Sequence, residues 1–486
     1  MNKLINIEPR ALWKYFELLN AVPRPSKKEE RVRQFMVDFG NKHGLETIVD
    51  AIGNVIIKKP ASSGMEKAKT VILQSHLDMV HQKNNATVFD FDTQGIDMFI
   101  DGDWVRAHGT TLGSDNGIGV AAIMAVLASD NIIHPALEAL FTIDEETGMT
   151  GAKQMDGSLF SGEILLNLDT EDDDELSVGC AGGIDTNTSF SYNETAISPD
   201  STGIEITING LLGGHSGMDI DRGRGNANKL MARLLWKLAN KMSVQLVSFE
   251  GGSLRNAIPR EATAILAVSS QKVEEAIELL EKEAVILKEE HQTIETFFKV
   301  TINTTSIDGK AMENGDFTKV INCLCAIQNG VFRMSPDIIG LVEASSSLAK
   351  VTVKEGLFTS QSLQRSSVES TKDEVAMSIR STFELIGATV TQGGEYPGWK
   401  PNTNSDILKL MREIYLELFH EEPKVKACHA GLECGILGLH LPNVDMISFG
   451  PNIRAAHSPD EKVQISSVQK FWGFYLKTLE QTPLKS

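Results

Sequence analysis

Three stretches of this chain run through apolar residues and then stop on groups that do not belong in a core. VILQSHLDMV (71–80) runs into His76 and Asp78, LEALFTIDEETG (137–148) into Asp144, Glu145 and Glu146, and ILLNLDTED (164–172) into Asp169. Short apolar runs bounded by polar turns read as buried strands. Strands buried on both sides belong to sheets that helices cover on both faces. Helical patterns at 9–19, 28–43 and 117–129 alternate with these strands and with another near 54–58. The order predicts an α/β domain: a mainly parallel, mixed sheet flanked by helices. In that architecture sites gather where strands end.

At 486 residues the chain exceeds one core. From about 187 the texture changes to antiparallel-looking strands, STGIEITING (201–210) and EATAILAVSS (261–270), with long amphipathic helices at 273–291 and 316–328. Strand, helix and strand recur twice, which predicts an inserted α+β domain of two similar halves over 187–397. GGEYPGWKP (393–401) reads as the return linker. The first domain then comprises 1–186 and 398–486, ending in a helix at 405–419, a strand at 444–450 and a helix at 466–480.

Charge and cysteine usage remove several classes. Forty-six basic against 65 acidic residues leave a net charge of −19, which argues against nucleic acid or an anionic membrane as partner. No stretch approaches the roughly 18 apolar residues of a membrane span, and the first residues lack the apolar core of an export signal. Five scattered cysteines do not form a disulfide framework. A cytoplasmic protein is expected. No GxxxxGK[ST] loop and no G-x-S-x-G elbow is present, and HEEPK (420–424) lacks the second histidine of a one-zinc protease helix.

Each polar strand end has an ordinary reading when taken alone. His76 and Asp78, at i and i+2, point the same way and could be a solvated strand end. Asp115 in TLGSDNGIG (111–119) precedes a helix of small apolar residues and could be a cap. Three carboxylates at 144–146 repel one another unless a cation compensates. A calcium loop starting at Asp169 fails, because its sixth position is Asp174 instead of glycine and its twelfth is Cys180 instead of glutamate. The rest of that acidic run, 171–175, reads as a solvated turn. A late loop, SFGPNIRAAHSPDE (448–461), supplies His457. Two histidines and several carboxylates at the strand ends of one domain make a set of N and O donors suited to zinc, manganese or cobalt.

SHLDMV, GSDNGIG, DEETG, NLDTED and AHSPDE, in that order, with GGHSG in the insertion, resemble the dinuclear zinc metallopeptidases that include carboxypeptidase G2, aminoacylases and dipeptidases. The resemblance implies two divalent ions, zinc first, with cobalt or manganese as alternatives. His76 and Asp169 would be terminal ligands of one, Glu146 and His457 of the other, with Asp115 bridging both. Asp78 would orient His76, and Glu145 would be the general base. His215 in NGLLGGHSGMD (209–219), otherwise a histidine in a glycine-rich hairpin, would stabilise the oxyanion. Relatives with a short insertion take this histidine from a dimer partner, whereas the doubled insertion here could supply it within one chain. Asn256, Arg365 and Gly431 are the substrate-binding candidates; Arg365 read alone is a surface charge. Length, the wording LGSDNGIGVA and the large insertion are most similar to dipeptidases that prefer a C-terminal histidine, such as those cleaving β-Ala-His. The expected substrate is a small unblocked peptide. An amidohydrolase for N-acyl amino acids, or a non-catalytic metal-binding relic, are the alternatives, and a homodimer remains open.

Overall fold

The computed structural model of the chain describes Leu4 and residues 6–84 and 86–485. It divides into two compact units. The first holds 1–179, 401–427 and 432–486; the second holds 180–400 and 428–431. The junction near 180 precedes the expected 187 because Gly182 already pairs with Ser366 in the sheet of the second unit. The short detour 428–431 puts Gly431 in the second unit instead of the first.

The first unit is built on an eight-stranded sheet in the order Glu46–Val49, Val55–Lys59, Leu137–Thr142, Val71–His76, Ile164–Asn167, Asp445–Ser448, Glu175–Cys180 and Lys424–Cys428. Leu137–Thr142, Val71–His76, Ile164–Asn167 and Asp445–Ser448 are mutually parallel. The expectation of a mainly parallel sheet holds for this centre only. Glu46–Val49 and Val55–Lys59 form an antiparallel hairpin, and Val55–Lys59 runs antiparallel to Leu137–Thr142. The hairpin has a local cause: the Asp50 carboxylate accepts N–H groups from Ile52, Gly53 and Asn54, closing a turn too short for a crossover helix.

The helix Ser114–Leu127 is apolar on every side and buries every residue except Asp115, as expected of a helix enclosed by protein. It packs between the helix Arg10–Asn20 and the strand Val71–His76. Gly119 permits this approach, since a Cβ there would lie 2.5 Å from Ser75 Oγ and 2.8 Å from the Leu168 carbonyl.

The second unit is built on one antiparallel sheet. Its order is Lys299–Thr305, Ser201–Asn209, Ala262–Ser269, Val244–Gly251, Val342–Lys354, Leu357–Ser366, Gly182–Ser191 and Thr389–Tyr396, with Gly330–Met334 also on Val342–Lys354. Two βαββαβ repeats account for this order. One runs from Ser201–Asn209 through the helices Ala227–Ala239 and Val273–His291 to Lys299–Thr305. The other starts with Gly182–Ser191 and continues through the helices Asn314–Ala326 and Glu369–Glu384 to Thr389–Tyr396. In each, the strands lie fourth, first, third, second, and the two second strands pair at Phe249–Gly251 with Val351–Val353. The predicted two halves are therefore present, but one is inserted after the first strand of the other. Alternate residues Ile204, Ile206 and Ile208 face a core shared with Leu234, Leu280, Phe317 and Ile379 of the four helices.

Candidate active site

The parallel strands deliver their polar ends to one place. His76 Nε2 lies 3.2 Å from Asp115 Oδ1 and 3.6 Å from Asp169 Oδ1. His457 Nε2 lies 3.0 Å from Asp115 Oδ2 and 3.0 Å from Glu146 Oε2. Asp115 thus stands between two imidazoles, one oxygen toward each. Its backbone is extended (φ −82°, ψ 110°) at a kink in the helix, and its carboxylate oxygens face the two imidazoles. His457 has a left-handed backbone, φ 64°, uncommon outside glycine and concentrated at functional sites.

Asp78, fully buried, organises this end of the sheet. Its Oδ1 accepts the Glu145 N–H at 3.0 Å and its Oδ2 the Glu146 N–H at 3.2 Å. His76 Nδ1 lies 3.4 Å from Asp78 Oδ1 and donates to the Asp78 carbonyl at 3.1 Å. Asp78 thus meets His76 through its carbonyl and its carboxylate, and the same carboxylate holds the main chain of both glutamates. Asp144, at φ 55°, completes the turn by accepting hydroxyl bonds from Thr147 and Thr150.

With Nδ1–H committed to Asp78, Nε2 of His76 presents a lone pair to carboxylate oxygens. Such an arrangement requires a proton or a cation between them. Burial opposes charge on His76, but Asp169 and Asp115 raise its pKa well above the ordinary value; Asp115 and Glu146 push His457 up to about 11. Burial would raise Asp115 too, yet the two imidazoles hold it far below the carboxylate range. Burial lifts Glu145 and Asp169 well above that range.

The residues fit divalent ions on three observations. Tetrahedral ligands about 2.1 Å from an ion stand about 3.4 Å apart, close to the 3.0–3.6 Å separations here. Buried Glu146 Oε1 and Asp169 Oδ1 have no hydrogen-bond partner, and single donor atoms of His76, Asp115 and Glu146 lie within 4.8 Å of one another.

The acidic run 171–175 is largely ion-paired: Arg454 answers Asp172, Lys470 Asp173, Lys424 Asp174 and Lys426 Glu175. Glu433, fully buried beside this cluster, lies in no motif that marks it in the sequence. Its Oε2 accepts from Gln74 at 2.6 Å and Thr142 at 2.7 Å, and burial lifts it to about 7.

The second unit carries its own polar cluster. His215 Nδ1 accepts the N–H groups of Gly217 and Met218, at 3.2 and 3.0 Å, so its Nε2 bears the proton. That nitrogen lies 3.4 Å from Arg365 Nη2, another donor. Two N–H donors thus stand side by side. Burial and Arg365 push His215 down to about 4, so it remains neutral at physiological pH. Arg365 is only 4% exposed and donates to the Tyr396 hydroxyl at 2.7 Å, which removes the surface-charge reading. The Asn256 carbonyl accepts from Ser216 N–H, while its side chain is exposed. Gly431 is half-buried in the segment containing His429, whose Nε2 lies 2.7 Å from Ser345 Oγ. Tyr396 and His429 carried no motif by which sequence could have marked them.

Residues 72–481 match the model of peptidase family M20/M25/M40. The cytosol non-specific dipeptidase of Escherichia coli (strain K12) is 41% identical over 485 residues, covering 100% of both chains. The crystal structure of aminoacylhistidine dipeptidase from Vibrio alginolyticus superposes with TM-score 0.94 at 44% identity, covering 99% of each chain. Aminopeptidase PepT from Bacillus cereus ATCC 10987, at 15% identity, TM-score 0.56 and coverage of 98% of this chain and 99% of that one, shares the fold. With the family match spanning most of its length and a full-length relative at 41% identity, the chain belongs to peptidase family M20/M25/M40.

Proposed function

We propose that the chain is a metal-dependent dipeptidase that hydrolyses short unblocked dipeptides, including those with C-terminal histidine. The carrying observation is the placement of Asp115 between His76 and His457, with Glu146 and Asp169 on the outer sides. His76, Asp169 and Asp115 would hold one divalent ion, and Glu146, His457 and Asp115 a second. The N and O donors suit zinc, with cobalt and manganese as substitutes. Such a pair lowers the pKa of water and polarises a carbonyl.

The chain's own groups move the proton and orient the reactants. Glu145, half-buried and anchored through its N–H to Asp78, would accept the proton of the attacking water. It then returns that proton to the amine as the C–N bond breaks. By the resemblance, His215 would donate to the oxyanion and Arg365 to the substrate's free carboxylate. Asn256 and Gly431 would line the substrate pocket. A cytoplasmic location accords with the name of the Escherichia coli relative and with the absence, among the described residues, of a helix long and apolar enough to cross a membrane.

The names of the two relatives differ in breadth, one non-specific and one directed at aminoacylhistidines. A panel of β-Ala-His, dipeptides lacking histidine and N-acetyl amino acids, assayed on purified metal-loaded protein, separates the possibilities. Turnover of both dipeptide classes supports a broad dipeptidase. Faster turnover of the N-acetyl amino acids overturns the proposal in favour of an amidohydrolase.

A further inference from the structure

We propose that Arg24 and Glu461 are positioning residues for the reaction: buried opposite charges that grip the peptide groups of the turn carrying Asp115. Glu461 is 2% exposed. Its Oε2 accepts the N–H groups of Leu112 at 2.9 Å and Gly113 at 3.0 Å. Its Oε1 accepts from Ser114 N–H at 2.7 Å, Ser114 Oγ at 2.6 Å and Asp115 N–H at 3.3 Å. Successive N–H groups turned toward one anion need a backbone bent into a concave arc, and Gly113, at φ 69°, supplies the bend.

Arg24, 1% exposed, holds the same turn from its carbonyl side. Its Nη2 donates to the Gly113 carbonyl at 2.5 Å and to Asn20 Oδ1 at 3.0 Å, and its Nη1 to the carbonyls of Leu77 and Asp78 at 3.0 and 3.1 Å. Glycine at 113 and 117 makes room for it, since a Cβ at either would lie 2.6 or 2.5 Å from Nη2.

Each charge also reaches a second ligand-bearing segment. Glu461 lies in the loop of His457, so its grip ties that loop to Asp115. Arg24 ties the residues immediately after His76 to the same turn. Three segments distant in sequence are thereby set against one another by two side chains outside the cluster. Both remain buried because each satisfies main-chain groups that water would otherwise solvate.

This inference rests on Asp115 being the shared metal ligand, and the test separates the two ideas. Glu461→Gln, Glu461→Asp, Arg24→Lys and Asp115→Asn are prepared with wild type. Zinc affinity is measured by competition with a chromophoric chelator, and visible absorption is recorded on cobalt-loaded protein. Glu461→Gln sets an amide NH2 against main-chain donors and should weaken zinc binding about 10–100-fold and alter the cobalt bands. Glu461→Asp, which keeps the charge, should recover part of both. Arg24→Lys cannot span three carbonyls and should show the same loss, carrying the test if Glu461→Gln does not fold. Wild-type affinity and spectrum in Glu461→Gln and Arg24→Lys, with metal lost in Asp115→Asn, overturn the positioning role. Wild-type metal binding in Asp115→Asn refutes the ligand reading instead.

Discussion

Replacing Asp78 by Asn exchanges one carboxylate oxygen for an amide nitrogen at constant size, in a site with no access to water. The Asp78 oxygens face the N–H groups of Glu145 and Glu146, with His76 Nδ1 at 3.4 Å from Oδ1. Either orientation of the amide sets an NH2 against a main-chain N–H, leaving at least one buried donor without an acceptor. That costs about 1–3 kcal/mol, or about five- to 150-fold in rate if it falls on the transition state. The strain lands on the turn that aims Glu145, so kcat should fall about 10–100-fold while KM changes little. Initial rates on a dipeptide, with metal content by elemental analysis on the same preparation, measure both effects. A kcat within about twofold of wild type at full metal content would show that Asp78 does not orient the turn.

Glu145→Gln should keep its metal and lose turnover by about two to four orders of magnitude, the range for a positioned acid–base group; unchanged turnover rules out Glu145 as the base. His76→Ala should lower metal content and activity together, and normal metal content by elemental analysis would remove His76 from the ligand set. A strong chelator should abolish hydrolysis and added zinc or cobalt should restore it; full activity of demetallated protein would end the metal-dependent reading. His429, pushed down to about 3 by burial and by Arg365, gives a stability prediction. The unfolded chain binds a proton below about 6.5, so this contribution is complete above that pH and is lost as pH falls toward the folded value. It amounts to about 2 kcal/mol by pH 5. Urea melts at pH 7 and pH 5 should show a smaller difference for His429→Gln than for wild type; equal differences would contradict the assignment.

Much of this organisation is visible in sequence because parallel strands advertise themselves. VILQSH, LEALFT and ILLN are buried along their whole length, so a polar group at the end of such a run stands out and its location at the sheet's carboxyl edge follows. The helices 273–291 and 405–419 are equally legible from their apolar period, and the latter opens on Ser405, whose side chain accepts from Leu408 N–H. Other residues were hidden because their meaning is a contact. Arg24 sits in VPRPS, which reads as a surface loop, and the carbonyls it holds at Leu77 and Gly113 lie in other segments. Glu461 is one acid in a run of polar residues until its five donors are seen. Nesting of one repeat inside another leaves no periodic trace, since Gly182–Ser191 resembles any half-buried strand.

That nesting sets an order of assembly. The inner repeat, Ser201–Thr305, has all its strands and both helices within one continuous stretch, so its contacts close shorter loops than those of Gly182–Ser191. Gly182–Ser191 finds its partners only at Leu357–Ser366 and Thr389–Tyr396, after the whole inner repeat has been traversed, at a greater entropic cost of closure. Amide protection in pulse-labelled refolding should therefore rise first across the inner repeat, with the outer strands acquiring it as they wrap around a body already formed.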